Sequence, residues 1–145
     1  MKFIDAHHHT WDLSVFPYSW INDPHPIGDI SALKNNYVIK DLLEDSKNLE
    51  LIKSVHVQCG GGKDNPVEET EWLQSIVDKN GFPHAFVVYS DLLKDNVEAE
   101  IEQHCSFKNT ICTTRNCYIS IIFTFISISW SRKWNSISGS LLYFS

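Results

Sequence analysis

Apolar and polar positions follow two rhythms over the first hundred residues. Phe3-Ile4-Asp5-Ala6-His7 is a short apolar opening that predicts a strand. Val38, Leu42 and Leu43 then form one apolar stripe, with Asp45 and Ser46 on the polar side, which is a helical period. Ser54-Val55-His56-Val57-Gln58-Cys59 is a β-branched run that stops at Gly60-Gly61-Gly62, and predicts a second strand. A second helix opens at Asn65-Pro66-Val67-Glu68: Asn65 can cap, Pro66 suits the first helical position, and Glu68 completes a capping-box spacing. Leu73, Ile76 and Val77 give it a buried face, and Asn80-Gly81 ends it. Ala85-Phe86-Val87-Val88-Tyr89 is a continuous apolar strand of the kind buried on both faces in parallel sheets. Asp95, followed by Glu98 three positions later, begins a last helix that runs to about His104.

Residues 12–31 break both rhythms. Pro17, Pro24, Pro26 and Gly28 alternate there with Phe16, Tyr18 and Trp20, so this stretch is expected to be a long ordered loop. A loop of that length inside a compact domain is usually functional or disordered, and the aromatics favour function. The resulting order is β, long loop, α, β, α, β, α. Strands separated by single helices indicate parallel βαβ units, in either an open doubly wound sheet or a (β/α)8 barrel.

Composition narrows the function classes. The 145 residues suffice for one domain with a core, and 43% hydrophobic with 21% charged residues reads as a globular chain. A net charge of −6 with no basic stripe argues against nucleic acid and anionic membranes as partners. Cys59, Cys105, Cys112 and Cys117 show no CxxC spacing and are expected to be reduced thiols. The opening Met-Lys-Phe-Ile-Asp-Ala-His-His-His lacks a signal-peptide apolar region, so a cytoplasmic location is the default expectation. The averages conceal a break: residues 1–105 hold all 18 acids and eight of the 12 bases, net −10, whereas residues 106–145 carry four bases and no acid. That tail is dominated by Ser, Ile, Phe and Thr.

The candidate chemistry lies in Asp5-Ala6-His7-His8-His9. On a strand, residues two apart share a face, so His7 and His9 point together and His8 points away. Two imidazoles at the C-terminal end of a first strand sit where α/β folds of this kind place their active sites. They can offer two nitrogen ligands to one divalent metal, which would acidify a bound water and polarise a carbonyl. A lone HxH arises often by chance, and a purification tag would be longer and lie outside folded sequence. Gly60-Gly61-Gly62-Lys63 lacks the spacing of a phosphate loop and reads as a rim loop.

The stretch from Ile4 to Asp12, "IDAHHHTWD", resembles the opening of the amidohydrolase superfamily, in particular the amidohydrolase-related, lactonase-like TIM-barrel hydrolases. Three blocks in order are similar to that branch: the opening with its aromatic loop "FPYSWI" at Phe16–Ile21, Val55–Leu73, and Gly81–Leu93. The resemblance covers about residues 3–105. It implies that His7 and His9 are the family's HxH pair, ligating a divalent metal (Zn or Mn) or, in metal-independent members, contacting the substrate directly. It places Gln58 at the catalytic rim, where its side chain can reach substrate, and gives His8 no role. His56 is expected to be a buried, hydrogen-bonded core residue and His84 a structural one; Trp11 and Trp20 can wall a pocket.

A complete barrel of this type needs about 250 residues. The expectation is therefore a truncated TIM-barrel fragment of about three βα units over residues 1–108, followed by an atypical Ser/Ile/Phe-rich tail over residues 109–145. The abrupt change in charge suggests an out-of-frame or intron-derived origin for that tail. The function expected is hydrolysis of a lactone or cyclic ester or amide, a small-molecule substrate, by water attack on its carbonyl. The alternative is a catalytically inactive truncated product that acts by association with partners. Oligomeric state is not legible in the sequence.

Overall fold

The structure is a computed structural model and describes residues 1–22, 28–62 and 64–114. Its strands are β1 (Lys2–His8), β2 (Glu50–Val57), β3 (Ala85–Tyr89) and β4 (Thr110–Thr114). Its α-helices are α1 (Ser19–Asn22), α2 (Ile39–Asp45), α3 (Val67–Asn80) and α4 (Val97–Cys105), with one 3-10 turn at Ser31–Leu33. All four strands pair in parallel, in the order β1-β2-β3-β4. This is a mixed α/β fold built on a parallel sheet.

The strand order carries topological information. Crossovers between parallel strands are almost always right-handed, so strands laid down in sequence order receive their helices on one side. A doubly wound sheet instead needs a reversal of strand order to put helices on both faces. Among the described strands the order shows no reversal. Burial along β3 agrees with one-sided cover. Phe86 and Val88 are buried against Leu73 and Val77 of α3, while Ala85, Val87 and Tyr89 alternate with them and stay half-exposed.

Local chemistry explains the element ends. Asn65 Oδ1 accepts from the Val67 N–H at 3.3 Å and caps α3 from just outside it. At the other end Gly81 adopts φ +75°, and its N–H donates to the Val77 carbonyl at 2.7 Å. A side chain in that left-handed conformation would be strained, so glycine belongs there. Ahead of α2, the Val38 N–H donates to Asp41 Oδ2 at 2.8 Å, satisfying one of the helix's orphan donors. The last helix begins at Val97, two residues later than Asp95.

Two features differ from the sequence-based expectation. Residues 12–31 are not wholly irregular, because Ser19–Asn22 closes one helical turn in which Ile21 is buried. The parallel sheet also extends past residue 108: Thr110–Thr114 continues it as β4, with Phe86 opposite Thr110 and Tyr89 opposite Thr114. A run rich in threonine fits a pleated edge although it carries no apolar alternation. The expectations for the rest of the tail, and for Lys63, lie outside the described residues. No helix among the described residues is long and apolar enough to cross a membrane.

Candidate active site

The C-terminal ends of β1 and β2 gather four imidazoles. His7 and His9 meet as the period-two argument requires, with their Nε2 atoms 3.1 Å apart and their rings edge to face. His9 Nδ1 lies 2.9 Å from the Val57 carbonyl, to which it donates. That bond leaves the lone pair of His9 on Nε2, facing His7. Burial pushes both imidazoles below the ordinary histidine pKa; for His7 the Asp5 carboxylate, and for His9 the Val57 carbonyl, partly offset the shift. The lowered pKa favours the neutral form of both rings; in the bond between them His7 Nε2–H donates to His9 Nε2, so His7 Nε2 would have to give up that proton to bind an ion.

The pair fits half of a metal site. Two nitrogens 3.1 Å apart match neighbouring ligands on one ion with metal–nitrogen bonds of about 2.0–2.1 Å. Among the described residues, however, no group of three His, Cys, Asp or Glu side chains could hold an ion. Further ligands would have to come from other parts of the protein.

His8 behaves differently from its neighbours. It is buried, and its ring packs edge to face on His56 with centroids 5.7 Å apart. Its Nδ1 lies 3.5 Å from Asp5 Oδ2, and this contact is the main reason the Asp5 carboxyl stays below the usual range. A register irregularity between Asp5 and His8 lets two residues three apart meet in this way. His56 is the core histidine expected. It is fully buried, its Nδ1 pairs with Thr10 Oγ1 at 3.3 Å, and burial drives its pKa well below the usual value. His84 stands at the opposite end of β3, where its N–H donates to the Ser54 carbonyl.

Gln58 follows β2 directly. Its N–H donates to the Val87 carbonyl at 2.8 Å and its side chain is half-buried at the strand end. The loop after it is held tightly. Trp20 Nε1 donates to the Cys59 carbonyl at 2.7 Å, and the Cys59 N–H donates to Glu69 Oε1 at 2.9 Å. Gly61 leaves no room for a side chain, since a Cβ there would meet Phe16 at 2.9 Å. Sequence reasoning missed Glu69. It is an acid in the first turn of α3 with no local signal of burial, and it is almost wholly buried. Burial raises its carboxyl to about 7, while the N–H groups of Cys59, Gly61 and Gly60 pull it back down.

Of the two tryptophans, Trp11 walls a cavity with His8 and His9. Trp20 packs against the buried cluster of Phe16, Tyr18, Ile21 and Cys59.

No protein-family model matches the chain, and no solved structure matches it. It is similar to a protein of Sinorhizobium fredii described as "Uncharacterized protein y4mH", with 42% identity over 112 residues. The match takes in 75% of this chain and 38% of that relative, so the chain spans well under half the relative's length.

Proposed function

We propose that this chain is the leading part of an amidohydrolase-related TIM-barrel hydrolase that opens a lactone or a cyclic ester or amide. The observation that carries the reading is the approach of His7 and His9 Nε2 to 3.1 Å at the end of the first strand of a parallel sheet whose four described strands lie in sequence order. Barrels keep strands in sequence order with all helices outside, and build their sites at the strands' C-terminal ends. The relative adds support in size: if 112 residues are 38% of it, it is roughly 290 residues long, within the range of a complete barrel.

In this reading His7 and His9 present two neutral imidazole nitrogens to a divalent cation, Zn or Mn, or in a metal-free mode to the substrate carbonyl itself. A bound cation would supply Lewis acidity for the carbonyl and a more acidic water. The Val57 carbonyl keeps the His9 ring in the orientation that aims Nε2 at the site. Gln58 donates an amide N–H to the carbonyl oxygen. Water adds to the carbonyl carbon, the ring C–O or C–N bond breaks, and the open hydroxy or amino acid leaves. A base outside the four described strands takes the proton of the water and returns it to the leaving oxygen or nitrogen.

Metal analysis of the purified chain paired with a lactone-hydrolysis screen tests this. About one Zn or Mn per chain, lost in the His7→Ala/His9→Ala double variant together with at least about a hundredfold of any hydrolysis, supports the reading. Neither metal nor lactone turnover in the folded chain overturns it.

A second reading is a catalytically inactive product that acts by association. It is favoured by the two sheet edges: among the described residues, β1 and β4 each have a strand neighbour on one side only. A chain that elutes as an assembly and has no turnover would select this reading over the first.

A further inference from the structure

The turn that follows β2 runs over a buried acid. Gly60 and Gly62 stand at its two ends with φ +79° and +62°, where a side chain would be strained. Gly61, between them, is buried against Phe16 and Tyr18. Beneath the turn, the Glu69 side chain reaches up from the first turn of α3 and is only 3% exposed. Its Oε1 accepts the Cys59 N–H at 2.9 Å, and the Gly60 and Gly61 N–H groups are also directed at the carboxyl. Trp20 Nε1 holds the Cys59 carbonyl from the other side at 2.7 Å. One carboxyl and one indole thus fasten a turn that lies outside both strand and helix.

No basic side chain among the described residues acts on Glu69, so only those three N–H groups offset the cost of burying its charge. Its titratable neighbours are Tyr18 from the long loop and Cys59 from the turn itself. Burial, and after it Glu69, pushes the pKa of the Tyr18 hydroxyl up, so that group stays protonated; it is also buried without a hydrogen-bond partner. Asp12 acts on Tyr18 as well. Towards α4, His104 Nδ1 lies 2.8 Å from Thr70 Oγ1, next to Glu69 in the chain, and burial favours its neutral form. On α3 itself Glu68 and Glu71 are exposed. A neutral acid sits under the turn at little cost, whereas a carboxylate and the Tyr18 hydroxyl are both better served by water, which enters when the turn lifts. The Glu69 carboxyl titrates at about 7 beneath the turn and at its ordinary 4.5 once water reaches it. The closed turn therefore binds the proton more tightly than the open one, and its stability is lost as pH rises through about 7.

We propose that the turn from Cys59 to Gly62 is a latch worked by one proton on Glu69: it stays shut over the neutral acid and lifts when the carboxylate forms. Placed at the end of β2 and directly after Gln58, the latch makes the shape of the rim respond to pH near neutrality. The proposal goes beyond the hydrolase reading, because neither metal nor substrate enters it and a chain without turnover tests it equally well.

Amide hydrogen exchange of the full chain, followed by NMR, provides the test. Each rate is divided by that amide's intrinsic rate, so that the base catalysis of exchange cancels. Between pH 6.0 and 8.0 the protection of the Cys59, Gly60 and Gly61 amides is expected to fall about tenfold, the factor set by a carboxyl at about 7 when shut and 4.5 when open. The buried histidines have lowered pKa values and lose charge as pH rises, so they act in the opposite sense. The β3 amides should remain more protected than the turn at both pH values, because the latch opens without the sheet. Glu69→Gln keeps an acceptor but cannot ionise, and should hold the three amides within about twofold over the same range. Constant protection in the natural chain, exchange of the turn only together with β3, or a tenfold fall that survives in Glu69→Gln overturns the proposal. If that variant does not fold, the comparison of the turn with β3 in the natural chain decides alone.

Discussion

Two buried clusters flank β2 and β3, and they are built on different principles. The cluster of Leu73, Val77, Phe86 and Val88 joins α3 to β3 by ordinary apolar contact between a helix stripe and a strand face. The cluster of Phe16, Tyr18, Ile21 and Cys59 is made mostly from a proline-containing loop, and it is pinned by polar bonds from Trp20 to Cys59 and from Cys59 to Glu69. The first is interchangeable packing that holds the fold. The second immobilises the rim on which Gln58 and the histidines stand. A loop has no backbone ladder of its own, so side chains must supply the order that a helix or strand receives from its main chain.

Truncating the first cluster should have the largest effect. Phe86 is fully buried, and Phe86→Ala should destabilise the chain by about 3–5 kcal/mol in denaturant unfolding. A loss below about 1 kcal/mol would mean that the helix–sheet contact does not hold the fold, and the contrast between the clusters would fail.

The second cluster should respond to pH. The Glu69 carboxyl is raised from 4.5 to about 7, so the folded chain holds a proton that the unfolded chain releases between those values. Stability from this group is therefore present below about pH 4.5 and lost as pH rises through about 7, by up to about 3 kcal/mol. The buried histidines act in the opposite sense, since their lowered pKa values cost stability as pH falls below about 6.5. Comparison with Glu69→Gln separates the two. The stability advantage of the natural chain over that variant should shrink as pH rises from 5 to 8, and an advantage that stays constant would sink the assignment.

The smallest expected effect sharpens the comparison at the cavity wall. Trp11→Phe removes the Nε1 donor from the Asn35 and Leu33 carbonyls and should cost about 1 kcal/mol in the same unfolding measurement. Increased amide exchange confined to residues 33–37, with β3 unchanged, would show that this bond orders the loop rather than the sheet.

Much of the framework was legible because it depends on neighbours in sequence. Asn65 and Gly81 bracket α3 through local donors and dihedral freedom, and the period of two brings His7 and His9 together. Other features left no local signal. Glu69 carries no local signal of burial, and becomes a loop anchor only because Cys59, ten residues earlier, turns its N–H towards it. His8 has no pattern that marks it; its setting comes from the irregularity in β1 and from His56, 48 residues away. β4 was missed because five residues rich in threonine show neither an apolar run nor a turn signal.

Local periodicity and capping chemistry were enough to determine which segments become helices and strands, and that two of the three adjacent histidines face one way. The order of strands in the sheet, the fourth strand, the buried carboxylate behind the glycine loop and the cavity beside His8 were decided only by tertiary contact. The physical reason is range: propensity and hydrogen bonding to near neighbours act within a few residues, whereas burial and long-range pairing depend on which distant surfaces meet.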